Sequence, residues 1–226
     1  MDHTTSPLNN LPPAVWVLAL PMIAAEVVVQ AGATGLAGGA GGVGWRLALL
    51  ERFAFFPDLL RQNVARGDFA PDNLLRLISY PFVHGDLTSA VFGVVMLLAL
   101  GKVVGEVFRW WALAVIFLGS GAEAALIYTA IPAMTAPLAG AFAPVYGLVG
   151  AFTFLMWVRL AAVGANQYRA FSLIGALLFF QFVIGMLFGG GTLWVAEISG
   201  FAAGFLLSFI VSPGGWARVK ARLRER

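Results

Sequence analysis

Apolar residues dominate six stretches of the chain, at about 14–33, 81–100, 110–130, 140–158, 170–188 and 192–211. Each approaches the roughly 20 residues that a helix needs to cross the hydrocarbon core of a bilayer. Between the first two the pattern changes twice. Residues 35–44 are glycine-rich, which predicts a loop. Then Leu47, Leu49, Leu50, Phe53, Phe55, Phe56, Leu59 and Leu60 are interleaved with Arg46, Glu51, Arg52, Asp58 and Arg61. That mixture predicts a helix lying in the membrane interface rather than crossing it. The expected fold is an all-α membrane protein. It has six spanning helices and an interfacial first loop over 35–76, in a single domain covering residues 1–226.

Composition agrees. Of the 226 residues, 60% are hydrophobic and 11% charged, and mean hydropathy is +0.88, whereas a soluble domain carries about 25% charged residues. No cysteine is present, so disulfides and thiolate metal sites are excluded. No basic run is interleaved with aromatics, so nucleic acid is not an expected partner; membrane lipids are. Met1 to Pro13 contain no Lys or Arg, so the first apolar stretch is expected to be a retained span, not a cleaved signal. No internal repeat is visible, which weighs against an inverted-repeat transporter.

Charge placement predicts the orientation. Lys102 and Arg109 follow the second span, Arg159 and Arg169 the fourth, and Arg218, Lys220, Arg222, Arg224 and Arg226 the sixth; the connections after the third and fifth have none. Both termini are therefore expected in the cytoplasm. The first loop, with Arg46, Arg52, Arg61, Arg66 and Arg76, breaks the pattern. In this arrangement the second, fourth and sixth spans run the same way. Residues early in them, among them His84, Ser89, Phe142 and Glu197, then lie within about 5–12 Å of the outer surface.

Two short stretches carry the candidate chemistry. In the first, Gly140-Ala141-Phe142-Ala143-Pro144-Val145-Tyr146-Gly147-Leu148-Val149-Gly150, Gly147 and Gly150 share a helix face, as do Phe142 and Tyr146. In the second, Ala196-Glu197-Ile198-Ser199-Gly200-Phe201-Ala202-Ala203-Gly204, Glu197, Gly200 and Gly204 share a face. Two glycine faces let two spans approach closely. The bland reading of both is helix packing.

Together these stretches resemble the rhomboid family of intramembrane serine proteases. The first resembles its nucleophile helix, G-x-S-G followed by an aromatic and small residues: Gly140, Ala141, Tyr146, Gly147 and Gly150 match, but Phe142 stands at the serine and Ala143 at the next glycine. The second resembles A-H-x-G-G-x-x-x-G, with Glu197 at the histidine. Pro81-Phe82-Val83-His84 resembles the start of H-x-x-x-x-H-x-x-x-N, with Ser89 at the second histidine and Gly93 at the asparagine. Trp45-Arg46 in a long first loop is similar too. The resemblance implies a rhomboid-like bundle whose nucleophile, base and oxyanion positions are all replaced, hence a pseudoprotease in a bacterial inner membrane. It would bind transmembrane helices of client proteins without cleaving them. Alternative readings are a divergent rhomboid protease using Ser89 or Ser199, and a small proton-coupled carrier.

The carrier reading rests on Glu26, Glu123 and Glu197, carboxylates within spans, where charge is costly and function is the default suspicion. Glu26 is expected to meet Arg46 or Arg52, Glu123 to bond a neighbouring helix, and Glu197 to be a neutral acid bonded to Tyr146. His84 and Asp86 read as a solvated polar pair. None of these residues has the spacing of a metal site, and no cofactor is expected.

Overall fold

The chain's prolines and one aspartate place its helix starts. In the computed structural model, which describes residues 11–188 and 191–212, α1 (Pro13–Ala33), α3 (Pro57–Arg66) and α4 (Pro71–Ser79) each begin on a proline. There its missing N–H costs nothing. Between α1 and α3 lie a 3-10 turn, Gly39–Gly44, and α2 (Trp45–Phe53). The remaining helices are α5 (Leu87–Gly105), α6 (Trp110–Ala130), α7 (Phe142–Ala162), α8 (Ser172–Phe188) and α9 (Trp194–Val211).

The second span is displaced from its expected place. Pro81 lies in a 3-10 turn, Tyr80–Phe82, and Val83 is extended. The helix starts only after Asp86, whose carboxylate accepts the Ser89 N–H at 2.8 Å. An N-cap of this kind satisfies an orphan donor and fixes the start. The fourth, fifth and sixth spans also start two residues late, the fifth behind a 3-10 turn, Gln167–Phe171.

Helices α1, α5, α6, α7 and α9 have the length and apolarity to cross a membrane. α8 has 17 residues, about 25 Å of helix, the short end of the spanning range. Packing direction supports its crossing. α7 and α9 are parallel: Gly200 meets Ala143, Gly204 meets Gly147, and Phe209 packs on Phe154 with ring centroids 4.7 Å apart. The chain must therefore return between them, and α8 is the element that returns.

The rest of the bundle alternates. Gly105 of α5 faces Pro12, Gly101 faces Val15 and Gly93 faces Met22, so α1 and α5 are antiparallel. Gly119 faces Leu207, and the hydroxyls of Tyr128 and Thr192 are 2.7 Å apart, so α6 and α9 are antiparallel. Phe92 stacks on Phe142 and Phe108 packs on Phe154, so α5 and α7 are parallel. The start of α1 and the end of α9 thus share one end of the bundle, and α5, α7 and α9 all start at the other. The basic residues from Arg218 onward lie outside the described residues.

The single interfacial helix expected in the first loop is a correction. α2 and α3 are separated at Ala54-Phe55-Phe56. There Phe55 exchanges backbone hydrogen bonds with Leu138, at 2.9 and 2.8 Å, which pins the loop beside the start of α7. Two of the loop's arginines are engaged with helix ends. Arg61 donates to the carbonyls of Thr129, Ile131 and Met134 at 2.8–2.9 Å, where α6 ends and its last carbonyls lack helical partners. Arg76 donates to the Ala54 carbonyl at 2.8 Å. Arg61 and Arg76 thus satisfy carbonyls at the ends of α6 and α2.

Candidate functional site

The starts of α7 and α9 meet at one cavity, and α5 reaches it through Phe92, which packs on Phe142. Phe142, Gly140, Tyr80, Leu138, Ala196 and Glu197 line one cavity of about 40 Å³. Gly140 enters it with φ +94°, a conformation that favours glycine, and donates its N–H to the Tyr80 carbonyl at 3.0 Å. The Tyr80 hydroxyl donates to the Gly121 carbonyl of α6 at 2.9 Å. Burial pushes the Tyr80 phenol up, so it stays a donor.

Phe142 is half-buried, and its ring stacks on Phe92 of α5 with centroids 5.9 Å apart and an interplanar angle of 24°. Its face is thus committed to an apolar neighbour. Glu197 is 8% exposed and accepts from Gln181 Nε2 of α8. This corrects the expectation that Tyr146 is its partner; no hydrogen bond joins Tyr146 to Glu197 among the described residues. The physical reason lies in α8. Gln181 is the single polar side chain in that helix past Ser172, and an amide in an apolar span must find a partner. That isolation was the sequence signal for the pair.

His84 is 5% exposed and Asp86 is exposed, so they are not the solvated pair expected; Asp86 turns outward to cap α5. The imidazole fills the space that glycines leave. A Cβ on Gly93 would lie 3.1 Å from His84 Nε2, and one on Gly140 3.1 Å from its Cδ2. The position where the resemblance implies an asparagine is therefore pressed against His84 and Ala141. Among the described residues His84 Nε2 has no hydrogen-bond partner. Burial pulls the imidazole down to about 4, and Arg46 adds to this against the opposing charges of Glu26 and Asp86. A base depressed on folding stabilises the fold above its unfolded value and loses that contribution as pH falls. Stability is therefore expected to decline between about pH 6.5 and 4. A His84→Gln variant should show a flatter profile there when its detergent-unfolding midpoint is followed against pH.

Behind His84 stands the charged pair of the site. Arg46 contacts Glu26 at 2.6 and 3.1 Å and also donates to the His84 carbonyl at 2.9 Å. Gln30 donates to the same carboxylate at 2.8 Å. Arg46 thus joins α1, the first loop and the entry to α5. Trp45 packs on the end of α1, where a Cβ on Gly32 would come 2.8 Å from its ring.

The two serines considered as nucleophiles are locally occupied. Ser89 Oγ donates to the Asp86 carbonyl at 2.9 Å and Ser199 Oγ to the Val195 carbonyl at 2.7 Å. The bond expected between Glu123 and a neighbouring helix is not found among the described residues, where its buried Oε2 has no partner. No group of three or more metal-ligating side chains occurs among them. Gly147, Gly150, Gly200 and Gly204 do form the contact surface of α7 and α9. Tyr80, Gln181 and Leu138 are the site residues that sequence reasoning passed over.

A family model described as Rhomboid domain matches residues 71–214, from α4 through the end of α9. No curated protein matches the chain significantly.

Proposed function

The chain belongs to the rhomboid family of intramembrane serine protease scaffolds, and from that premise we propose that it is an inactive member, a pseudoprotease. Its role is to bind the transmembrane helices of client proteins without cutting them. The observation that carries this is Phe142. By the motif resemblance it stands where the family has serine, and its ring, which stacks on Phe92, lines the cavity that also holds Glu197. Peptide hydrolysis needs a nucleophile, a base and donors for the oxyanion. A phenyl ring has no lone pair to attack a carbonyl. Glu197 is engaged by Gln181, and Gly93 has no side-chain donor.

The competing reading keeps the protease and moves the nucleophile to Ser89 or Ser199. Both hydroxyls already donate to carbonyls of their own helical segments. The purified full chain is expected to remain unlabelled by a fluorophosphonate probe. Labelling that vanishes in Ser89→Ala or Ser199→Ala would replace the pseudoprotease by an unorthodox enzyme. Client binding is read by photo-cross-linking from Phe92 or Phe142 in membranes; cross-links to spanning segments support it, and cross-links to lipid alone would not.

The proposal includes a bacterial inner membrane with both termini cytoplasmic, a single domain over 1–226, and no cofactor. Basic residues at the ends of α5 and α7 support the orientation. Reporter fusions at the two termini should both report the cytoplasm; a split result would remove it.

A further inference from the structure

Away from the cavity at Glu197, a second and larger one of about 510 Å³ opens at the other end of the bundle. Trp157, Gln167, Tyr168, Phe171, Phe205 and Phe209 line it. Its origin is in the glycine register of α7 and α9. At Gly147 and Gly150 the two backbones touch. One to two turns further on, Phe154 and Trp157 on α7 face Phe205 and Phe209 on α9. The wall so formed is a connected aromatic network. Phe205 lies 5.3 Å from Phe209, 5.5 Å from Phe171 and 6.2 Å from Trp157, centroid to centroid. Those mutual contacts commit the rings to one another and make the wall a continuous apolar surface.

We propose that this cleft is a binding site for one anionic phospholipid. The aromatic wall suits acyl chain and glycerol, since preformed ligand sites are mostly apolar with a few polar groups that fix orientation. Gln167 and Tyr168 supply those groups, and Tyr168 is 84% exposed. Charge selects the headgroup. This end of the bundle carries Arg109, Arg159 and Arg169 as well as Lys102, against Glu106 alone among the described residues. Arg159 and Arg169 are exposed and form no ion pair among them. Basic clefts between spanning helices at the membrane surface recognise anionic headgroups. The same positive charge disfavours the competing occupant, the chain's own basic segment beyond residue 212.

The test uses the full chain, delipidated in mild detergent and titrated with phosphatidylglycerol or phosphatidylcholine, with bound lipid counted by native mass spectrometry. One phosphatidylglycerol per chain is expected, held at least tenfold more tightly than phosphatidylcholine. Ala165, which also lines the cleft, is the site to block it: Ala165→Trp should weaken phosphatidylglycerol binding at least tenfold, and Arg169→Gln should narrow the preference between the two lipids. Equal affinity for both lipids would overturn the headgroup assignment. Unchanged binding in a folded Ala165→Trp chain would overturn the site. A sharp rise in lipid binding in Trp216→Ala would show that the terminal segment fills the cleft, and would also overturn the proposal.

Discussion

Gly204→Ala is expected to lower stability by about 3 kcal/mol, the upper end of what overpacking costs. The added methyl would overlap the Gly147 carbonyl oxygen and lie 2.6 Å from the Gly147 Cα. The obstruction is backbone, and α7 can yield only by moving as a helix. That movement would carry with it Gly200 against Ala143 and Gly150 against Phe205, where a Cβ would meet backbone nitrogen at 2.6 Å. An internal control exists. A Cβ on Gly175 of α8 meets nothing within 4 Å, so Gly175→Ala should cost nothing and gain up to about 1 kcal/mol from helix propensity. Thermal unfolding of both variants in one detergent decides the matter. Equal midpoints would mean that α7 and α9 do not touch through their glycines.

Arg46→Leu should be the other severe substitution, costing about 2 kcal/mol, between the cost of breaking an exposed pair and that of breaking a fully buried one, since this pair is part-buried. Glu26 is left with Gln30 alone, its side chain 12% exposed, and the His84 carbonyl loses its donor. The diagnostic is the double variant Glu26→Leu, Arg46→Leu, which removes the stranded carboxylate too and should recover most of the loss. If the double variant is as unstable as the sum of the singles, the two residues act independently and the ion pair is not the connection between α1 and the entry to α5.

Much of this architecture is legible in the sequence because it depends on local composition. A run of apolar residues specifies a span wherever it docks, so α6 lies where its pattern places it, over Trp110–Ala130. Glycine faces are equally readable: an absent side chain constrains helix separation without reference to its partner. The second span was misplaced because apolar Pro81, Phe82 and Val83 extend the hydropathy signal, while the actual start is set by the cap at Asp86. Partner choice was less accessible still. Glu197 pairs with Gln181 rather than Tyr146 because of how α8 is rotated against α9, which no spacing within either helix encodes. His84 illustrates the same limit. Its sequence neighbour Asp86 is charged, yet the turn at Tyr80–Phe82 aims the imidazole inward against Gly93 and Gly140.

The clamp at Arg61 also has a history in time. Its carbonyl partners lie 68 to 73 residues later in the chain. At about 5–20 residues per second, a ribosome needs roughly 4–14 s to make them. Arg46 and Arg76, by contrast, find Glu26 and Ala54 20 and 22 residues behind them. The first loop therefore closes in two stages during synthesis. Arg46 can meet Glu26 of α1, and Arg76 the Ala54 carbonyl within the loop, before the carbonyls of Thr129, Ile131 and Met134 have been made. In the interval Asp58, three residues before it, is the partner that Arg61 can already reach, so its charge is held locally until the end of α6 supplies the three carbonyls.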